Sequence, residues 1–332
     1  MSRGRACVEE DVKLSLLDRS RTRADSGDAE ALEATVARAV HAEAVGYERF
    51  WVAEHHAVPG IASGTPTVLL AAVGARTSRI RIGSGGVMLP LHQPFVVAEQ
   101  ARVLDALHPG RVDLGLGRSL GFTAPVRQAL RRDLDAPDTF EDDLLELRGF
   151  LEDAAAVTVR PVTGRVVPMH LLATGRGLAV AARLGLPVVL GGPALDSDEL
   201  PALLAAYHRD FRPHLGSEPR VTVSLDVLVA DDAATARELA LPEAWAMARS
   251  RQTGEFPPLE SVKAIRDQRW PDQVRRRVEA SLDRAVAGTP AAVALRLEEL
   301  VERTGAAELM ASSSTHDRDA LLASDRMLRD LV

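Results

Sequence analysis

Cysteine is nearly absent from this chain, and aromatic residues are scarce. The single thiol, Cys7, can form neither an internal disulfide nor a cysteine-rich zinc site. At 4% aromatic content, few side chains are available on which a planar ligand could stack. Long hydrophobic runs are missing too: no uninterrupted apolar stretch approaches the roughly 20 residues of a membrane span. Residues 1–13 are polar and mixed in charge, without the apolar segment of a signal peptide, so a soluble protein of the cytoplasm is expected. Nor is there an excess of positive charge. The formal net charge is −7 and the arginines are dispersed among acids, which excludes the basic face that nucleic-acid binders use to neutralise phosphates.

What is present is ordinary globular material, 46% hydrophobic with 24 glycines and 19 prolines in 332 residues, enough to enclose a large core. Strand and helix patterns alternate along it. A short strand at 14–18 precedes an alanine-rich helix over 28–45, which ends at the C′ glycine Gly46. A strand at 47–53 leads to a helix over 65–77, with Thr65 at the N-cap and Pro66 at the first helical position. Strands at 79–88 and 111–117 bracket a helix over 94–107. The stretch 119–153 reads as helical, broken by Pro125 and Pro137, and 157–168 reads as a small hairpin or extended loop. Strands at 169–173, 187–190 and 220–230 alternate with helices over 177–184 and 198–214 and with one starting near Asp232.

Residues 242–288 break this rhythm with Pro242, Pro257, Pro258, Pro271 and many arginines, and read as an excursion from the core. The alternation resumes where Thr289-Pro290 opens a helix, on which Val293, Leu297, Leu300, Val301 and Thr304 share one face before Gly305. A strand at 307–311 and a helix over 317–331 complete the chain. Eight strand–helix units predict a single α/β domain: a closed (β/α)8 TIM barrel with an inserted segment after strand seven.

In such a barrel the strand ends converge on one mouth. They carry Asp18, Glu54-His55-His56, Gly85-Gly86, Gly117-Arg118, Thr174-Gly175-Arg176, Gly191-Gly192 and Ser312-Ser313-Ser314. Adjacent histidines on extended backbone point to opposite sides, so at most one of His55 and His56 faces the mouth, with Glu54 aligned with the other. The spacing is not HExxH, and no metal site is expected. An acid/base histidine and a hydrogen-bonded rim histidine are equally compatible with the pattern. Gly115-Leu116-Gly117-Arg118-Ser119-Leu120 fails the dinucleotide fingerprint, because its third glycine falls on Leu120. Gly117-Arg118 still suits an anion, as does Thr174-Gly175-Arg176 entering a helix, although a packing glycine and a plain turn fit as well. Gly85-Gly86 removes side chains where something flat approaches or where the backbone is unusual. Ser312–Thr315 reads first as a loop and cap before the last helix.

Several of these runs, taken in order, resemble one family. Trp51-Val52-Ala53-Glu54-His55-His56, Ile82 to Pro90 (IGSGGVMLP), Ala98-Glu99-Gln100 and Leu107 to Arg118 (LHPGRVDLGLGR) are similar to bacterial-luciferase-like flavin-dependent monooxygenases. The likeness continues at Ala181 to Pro187, Gly288-Thr289-Pro290 and Glu308-Leu309-Met310, and so spans essentially the whole chain. The single-chain oxygenase branch, some of whose members act in aromatic polyketide biosynthesis, resembles it most.

The resemblance implies a TIM barrel with a mobile lid at 242–288, and reduced FMN (FMNH2) at the C-terminal mouth. It further implies a separate flavin reductase, dioxygen and a small organic substrate, possible work in secondary metabolism, and a homodimer through the early helices. His55 matches the family's catalytic histidine, flanked in the motif by Glu54 and His56. Arg118 matches its phosphate-binding arginine, and Gly85-Gly86 a non-proline cis peptide under the flavin ring. Gly117 accompanies Arg118. Two runs depart from the family. Relatives carry an LGSS-like run after strand five, where this chain has Leu172-Ala173-Thr174-Gly175-Arg176, and Thr174, Gly175 and Arg176 take that place. After strand six a bulkier run is replaced by Leu190-Gly191-Gly192-Pro193. A reductase or dehydrogenase using FMN or a deazaflavin, and a flavin-free non-catalytic relative, are the alternatives.

Overall fold

Short apolar runs, each bounded by turn residues, form the staves of a closed barrel. They are β1 (Lys13–Asp18), β2 (Arg49–Val52), β3 (Arg81–Met88), β4 (Val112–Gly117), β5 (Met169–Leu172), β6 (Val188–Gly191) and β7 (Val221–Leu225), and β10 (Glu308–Ala311) closes the ring between β7 and β1. Every neighbouring pair is parallel, so all eight C-terminal ends open on one face. The computed structural model describes residues 12–120, 123–132, 135, 137–173 and 175–332.

The helices that wrap the barrel are α1 (Asp28–Val45), α2 (Pro66–Arg76), α3 (Pro94–Leu107), α4 (Ala124–Ala129), α5 (Phe140–Leu151), α6 (Arg176–Leu184), α7 (Leu200–Asp210), α11 (Pro290–Thr304) and α12 (Arg318–Arg329). Gly46 and Gly305 end α1 and α11 in the left-handed conformation, at φ 92° and 62°. Val293, Leu297, Leu300 and Thr304 form the buried face of α11, with Val301 partly buried beside it. Thr65 precedes α2 without a side-chain cap bond. Pro125 sits in the first turn of α4, where its missing N–H removes no helical bond. Among the described residues 157–168 no strand forms; the segment is a loop with a cis Arg160–Pro161 bond.

The strand expected over 220–230 is two strands. β7 stays in the barrel, while β8 (Val227–Val229) turns away at Asp226 and pairs in parallel with β9 (Val286–Gly288). Between them run α8 (Ala233–Thr253), α9 (Val262–Arg266) and α10 (Asp272–Arg284). Pro242 lies inside α8, so the chain departs from the βα rhythm at Asp226 and not at Pro242. This excursion buries an apolar cluster of its own, including Trp245, Ile265, Val274 and Val278, with the Trp245 and Trp270 rings 5.2 Å apart.

Inside the barrel, fully buried Trp51 packs with Val189 and Met310. It occupies the space that Gly83 leaves: a Cβ there would come within 2.3 Å of the Trp51 ring. The N-terminal end is closed by charge. Arg49 binds Asp113 at 2.6 Å and also Glu308, Arg81 binds Asp113 at 2.7 Å, and His170 Nε2 lies 3.6 Å from Asp113. Burial opposes the Asp113 charge, yet His170, Arg49 and Arg81 together hold its carboxyl well below the usual range.

Candidate functional site

At the C-terminal face, the loop after β2 is pinned by its own backbone. His55 N–H donates to Ser63 O at 2.9 Å, and Ser63 Oγ donates to Ala53 O at 2.7 Å. Along this extended stretch Glu54 and His56 share a side, as alternation requires. The Glu54 side chain is fully buried; its Oε1 accepts from His56 Nε2 at 2.6 Å and from His92 Nε2 at 2.7 Å. Its Oε2 accepts the Met88 N–H at 2.8 Å. His92 arrives from β3, one short 3-10 turn (Leu89–Leu91) beyond the strand. Burial disfavours the Glu54 charge, but the donors from His56, His92 and Met88 prevail and bring its pKa down to about 2.

His55 lies on the other side, in the field of two arginines. Burial first, then Arg19 and Arg21, push its pKa down to about 4, so its imidazole is neutral near pH 7. Both arginines belong to the tail of β1. Arg19 donates to Ser312 O at 2.7 Å and to Asp226 at 3.1 Å; Arg21 Nε donates to Glu243 of α8 at 2.9 Å. Buried Glu243 is held below the usual carboxylate range by Arg21 and Arg19, against the opposing effect of burial. Arg21 also stacks 4.2 Å from the Phe256 ring. Backbone bonds extend the contact: Leu259 N–H to Thr22 O at 2.9 Å, Ala24 N–H to Leu259 O at 2.9 Å, and Gly60 N–H to Phe256 O at 2.8 Å. The excursion is thereby docked on the barrel mouth. Asp18 is not part of that mouth chemistry. It binds Arg38 at 3.0 Å, and Arg38 also binds Asp325 at 2.8 Å, which ties β1 to α1 and α12.

The Gly85–Gly86 peptide is cis. A Cβ on Gly86 would lie 2.8 Å from the backbone oxygen of Gly115, so close packing demands that glycine; one on Gly85 would meet Leu17 Cδ1 at 2.7 Å, the mobile end of a side chain. Gly117 is different: its nearest neighbour would be Val87 O at 3.8 Å. Arg118 is exposed and ion-paired with Asp138. Thr174 lies outside the described residues. Gly175, at φ 51°, precedes α6, whose first turn has no side-chain cap, and Arg176 is exposed there. Gly191 leads into a 3-10 turn, Gly192–Asp196. The serine run after β10 does not cap α12, a task taken by Asp317; Ser313 Oγ instead accepts the Val227 N–H at 2.7 Å.

The parallel barrel thus brings Glu54, His55, His56, Arg118, Gly175 and Arg176 to one face, with Glu54 and His56 in direct contact and His55 turned toward Arg19 and Arg21. His92, Arg19, Arg21 and Glu243 belong to this face as well. The only local signal for them is that the first three are polar residues just past strand ends, and Glu243 has none.

A barrel whose C-terminal strand ends gather a neutral imidazole, a carboxylate with two histidines and several arginines has the layout of a barrel enzyme. Residues 12–308 match the family model for luciferase-like monooxygenase, and the chain belongs to that family. It is 34% identical over 332 residues to the luciferase-like monooxygenase of Escherichia coli (strain K12), covering 98% of both chains. The crystal structure of apo-MsnO8 superposes with a TM-score of 0.86 at 33% identity, over 96% of this chain and 98% of that one. The oxygenating constituent of 3,6-diketocamphane monooxygenase from Pseudomonas putida, a type II Baeyer-Villiger monooxygenase in complex with FMN, shares the fold at TM-score 0.74 and 17% identity, over 96% of each chain. Among the described residues no helix is long and apolar enough to cross a membrane.

Proposed function

We propose that this protein is a monooxygenase that uses reduced FMN, delivered by a separate flavin reductase, and dioxygen to oxidise a small organic substrate in secondary metabolism. The observation that carries this reading is the joint presence, at the C-terminal ends of one barrel, of a neutral imidazole and two exposed arginines, Arg118 and Arg176.

The residues at the mouth fit a flavin. The uncapped first turn of α6 offers backbone N–H groups to a phosphate, with Arg176 in that turn and Arg118 at the end of β4 as cations. Gly117 leaves room for close approach, and the cis Gly85–Gly86 peptide would lie under the ring. Asp138, paired with Arg118 through Nη2, offsets part of the charge that Arg118 would offer to the phosphate. Bound reduced flavin would supply the electrons that activate dioxygen, a task no side chain performs. His55, neutral near pH 7, accepts or holds a proton at its ring nitrogen. Glu54 fixes the His56 ring by accepting from Nε2. The α8–α10 segment, latched through Arg21–Glu243, serves as the lid that excludes water. Exposed Val68, Val96, Val103 and Leu107 on α2 and α3 support a homodimer through the early helices. A reducing cytoplasm suits a chain with one thiol.

Anaerobic titration with reduced FMN tests the reading. Binding in the micromolar range is expected, weakened about tenfold in Arg118→Ala. With a reductase and dioxygen, substrate oxygenation is expected to collapse in His55→Ala. Absence of reduced-FMN binding would favour a flavin-free relative. Turnover sustained without dioxygen would favour a reductase or dehydrogenase.

A further inference from the structure

We propose that Glu54, His56 and His92 form a binding site for one divalent transition-metal ion of the zinc type. The three potential ligand atoms, one carboxylate oxygen and two imidazole nitrogens, all lie within 4.8 Å of one another. Both Nε2 atoms are aimed at the same oxygen, Glu54 Oε1, at 2.6 and 2.7 Å. A metal requires ligand atoms gathered round one point, and two adjacent strand ends bring them together here, Glu54 and His56 after β2 and His92 after β3; the two rings draw back from Oε1 to admit the ion.

The surroundings favour an ion over a closed hydrogen-bond knot. The Glu54 side chain is inaccessible, while the His56 and His92 side chains are 19% and 30% exposed, so an ion can enter past the imidazoles and meet a buried anion. The second carboxylate oxygen is held by the Met88 N–H at 2.8 Å, an outer contact that orients the ligating oxygen. Two imidazoles and a carboxylate suit zinc, cobalt, nickel or iron; calcium and magnesium favour sets made of oxygen. Three protein ligands leave a coordination position for water or a small anion. The Nε2 protons that now bridge to Glu54 leave those atoms on binding, either to Nδ1 or to solvent. His55 takes no part.

This inference does not depend on flavin binding, and its test is run on the full chain stripped of metal by a chelator and without flavin. Isothermal titration with zinc chloride is expected to give one equivalent bound at micromolar Kd or tighter. Cobalt chloride is expected to give the visible absorption of a nitrogen- and oxygen-ligated ion. Affinity is expected to fall at least about tenfold in His92→Ala and in Glu54→Gln. His92→Gln carries the comparison if His92→Ala fails to fold by circular dichroism. His214→Ala, which removes a half-buried histidine paired with Glu152 away from the cluster, is expected to leave binding unchanged. No zinc bound at 100-fold lower affinity than micromolar, or equal affinity in the His92 variants, overturns the proposal and leaves the cluster a hydrogen-bonded rim.

Discussion

Asp113 and Glu54 are both buried carboxylates, held below their ordinary pKa by the groups around them, yet they sit at opposite ends of the barrel and face different partners. At the N-terminal end Asp113 meets Arg49 and Arg81, cations that never release a proton, with His170 at 3.6 Å. At the C-terminal end Glu54 meets His56 and His92, imidazoles whose ring nitrogens are able to ligate an ion. Guanidinium groups cannot ligate an ion; a carboxylate with two imidazoles can. The first arrangement is expected to serve stability and the second binding.

The largest test of this contrast is at the closed end. Asp113→Ala leaves buried Arg49 with Glu308 alone and Arg81 with the Gly110 carbonyl, and is expected to cost about 3–5 kcal/mol in urea unfolding, while the folded fraction still binds reduced FMN. A loss below about 1 kcal/mol would make the two ends energetically alike. At the open end, His55→Ala is expected to lower oxygen-dependent turnover by roughly 10²-fold or more, with its unfolding free energy within about 1 kcal/mol of the parent. A comparable loss of stability would mean that His55 is a packing residue.

Acid distinguishes the ends next. The folded-state pKa of His55 is about 4 against an ordinary 6.5, so the unfolded chain binds more protons between those values. Stability therefore rises with pH across that window and is lost as the pH falls from 6.5 toward 4. Glu54, at about 2 against 4.5, adds a loss of the same sign at lower pH. Urea midpoints measured against pH in the presence of a chelator are expected to flatten between pH 4 and 6.5 in His55→Gln, and not in Asp113→Asn. The smallest effect concerns the exposed Arg118–Asp138 pair: Asp138→Asn is expected to tighten reduced-FMN binding by about two- to fivefold.

The barrel was legible because its signals are local. A strand run, a turn and a helix with Pro66 or Pro290 at its start and Gly46 or Gly305 at its end repeat along the chain, and alternation alone puts Glu54 and His56 on one side. Strand seven misled because Val227–Val229 is as apolar as Val221–Leu225; Asp226, the one charged residue in the run 221–230, is the only mark of the place where the chain leaves the ring. His92 and Glu243 were missed because their partners lie 38 and 222 residues away and depend on which strand ends become neighbours. The twin glycines were open to two readings, and packing against the Gly115 backbone accounts for Gly86, while Leu17 alone does not account for Gly85.

The pairing of Val227–Val229 with Val286–Gly288 has a consequence for how such a barrel diversifies. The excursion departs and returns through two paired strands, so its ends stay joined whatever lies between them. Away from Glu243, Phe256 and Leu259, which hold it to the mouth, its length can change while the ring of strands keeps its closure. Variation in what is admitted to the mouth is thereby separated from the geometry that the rest of the molecule must conserve.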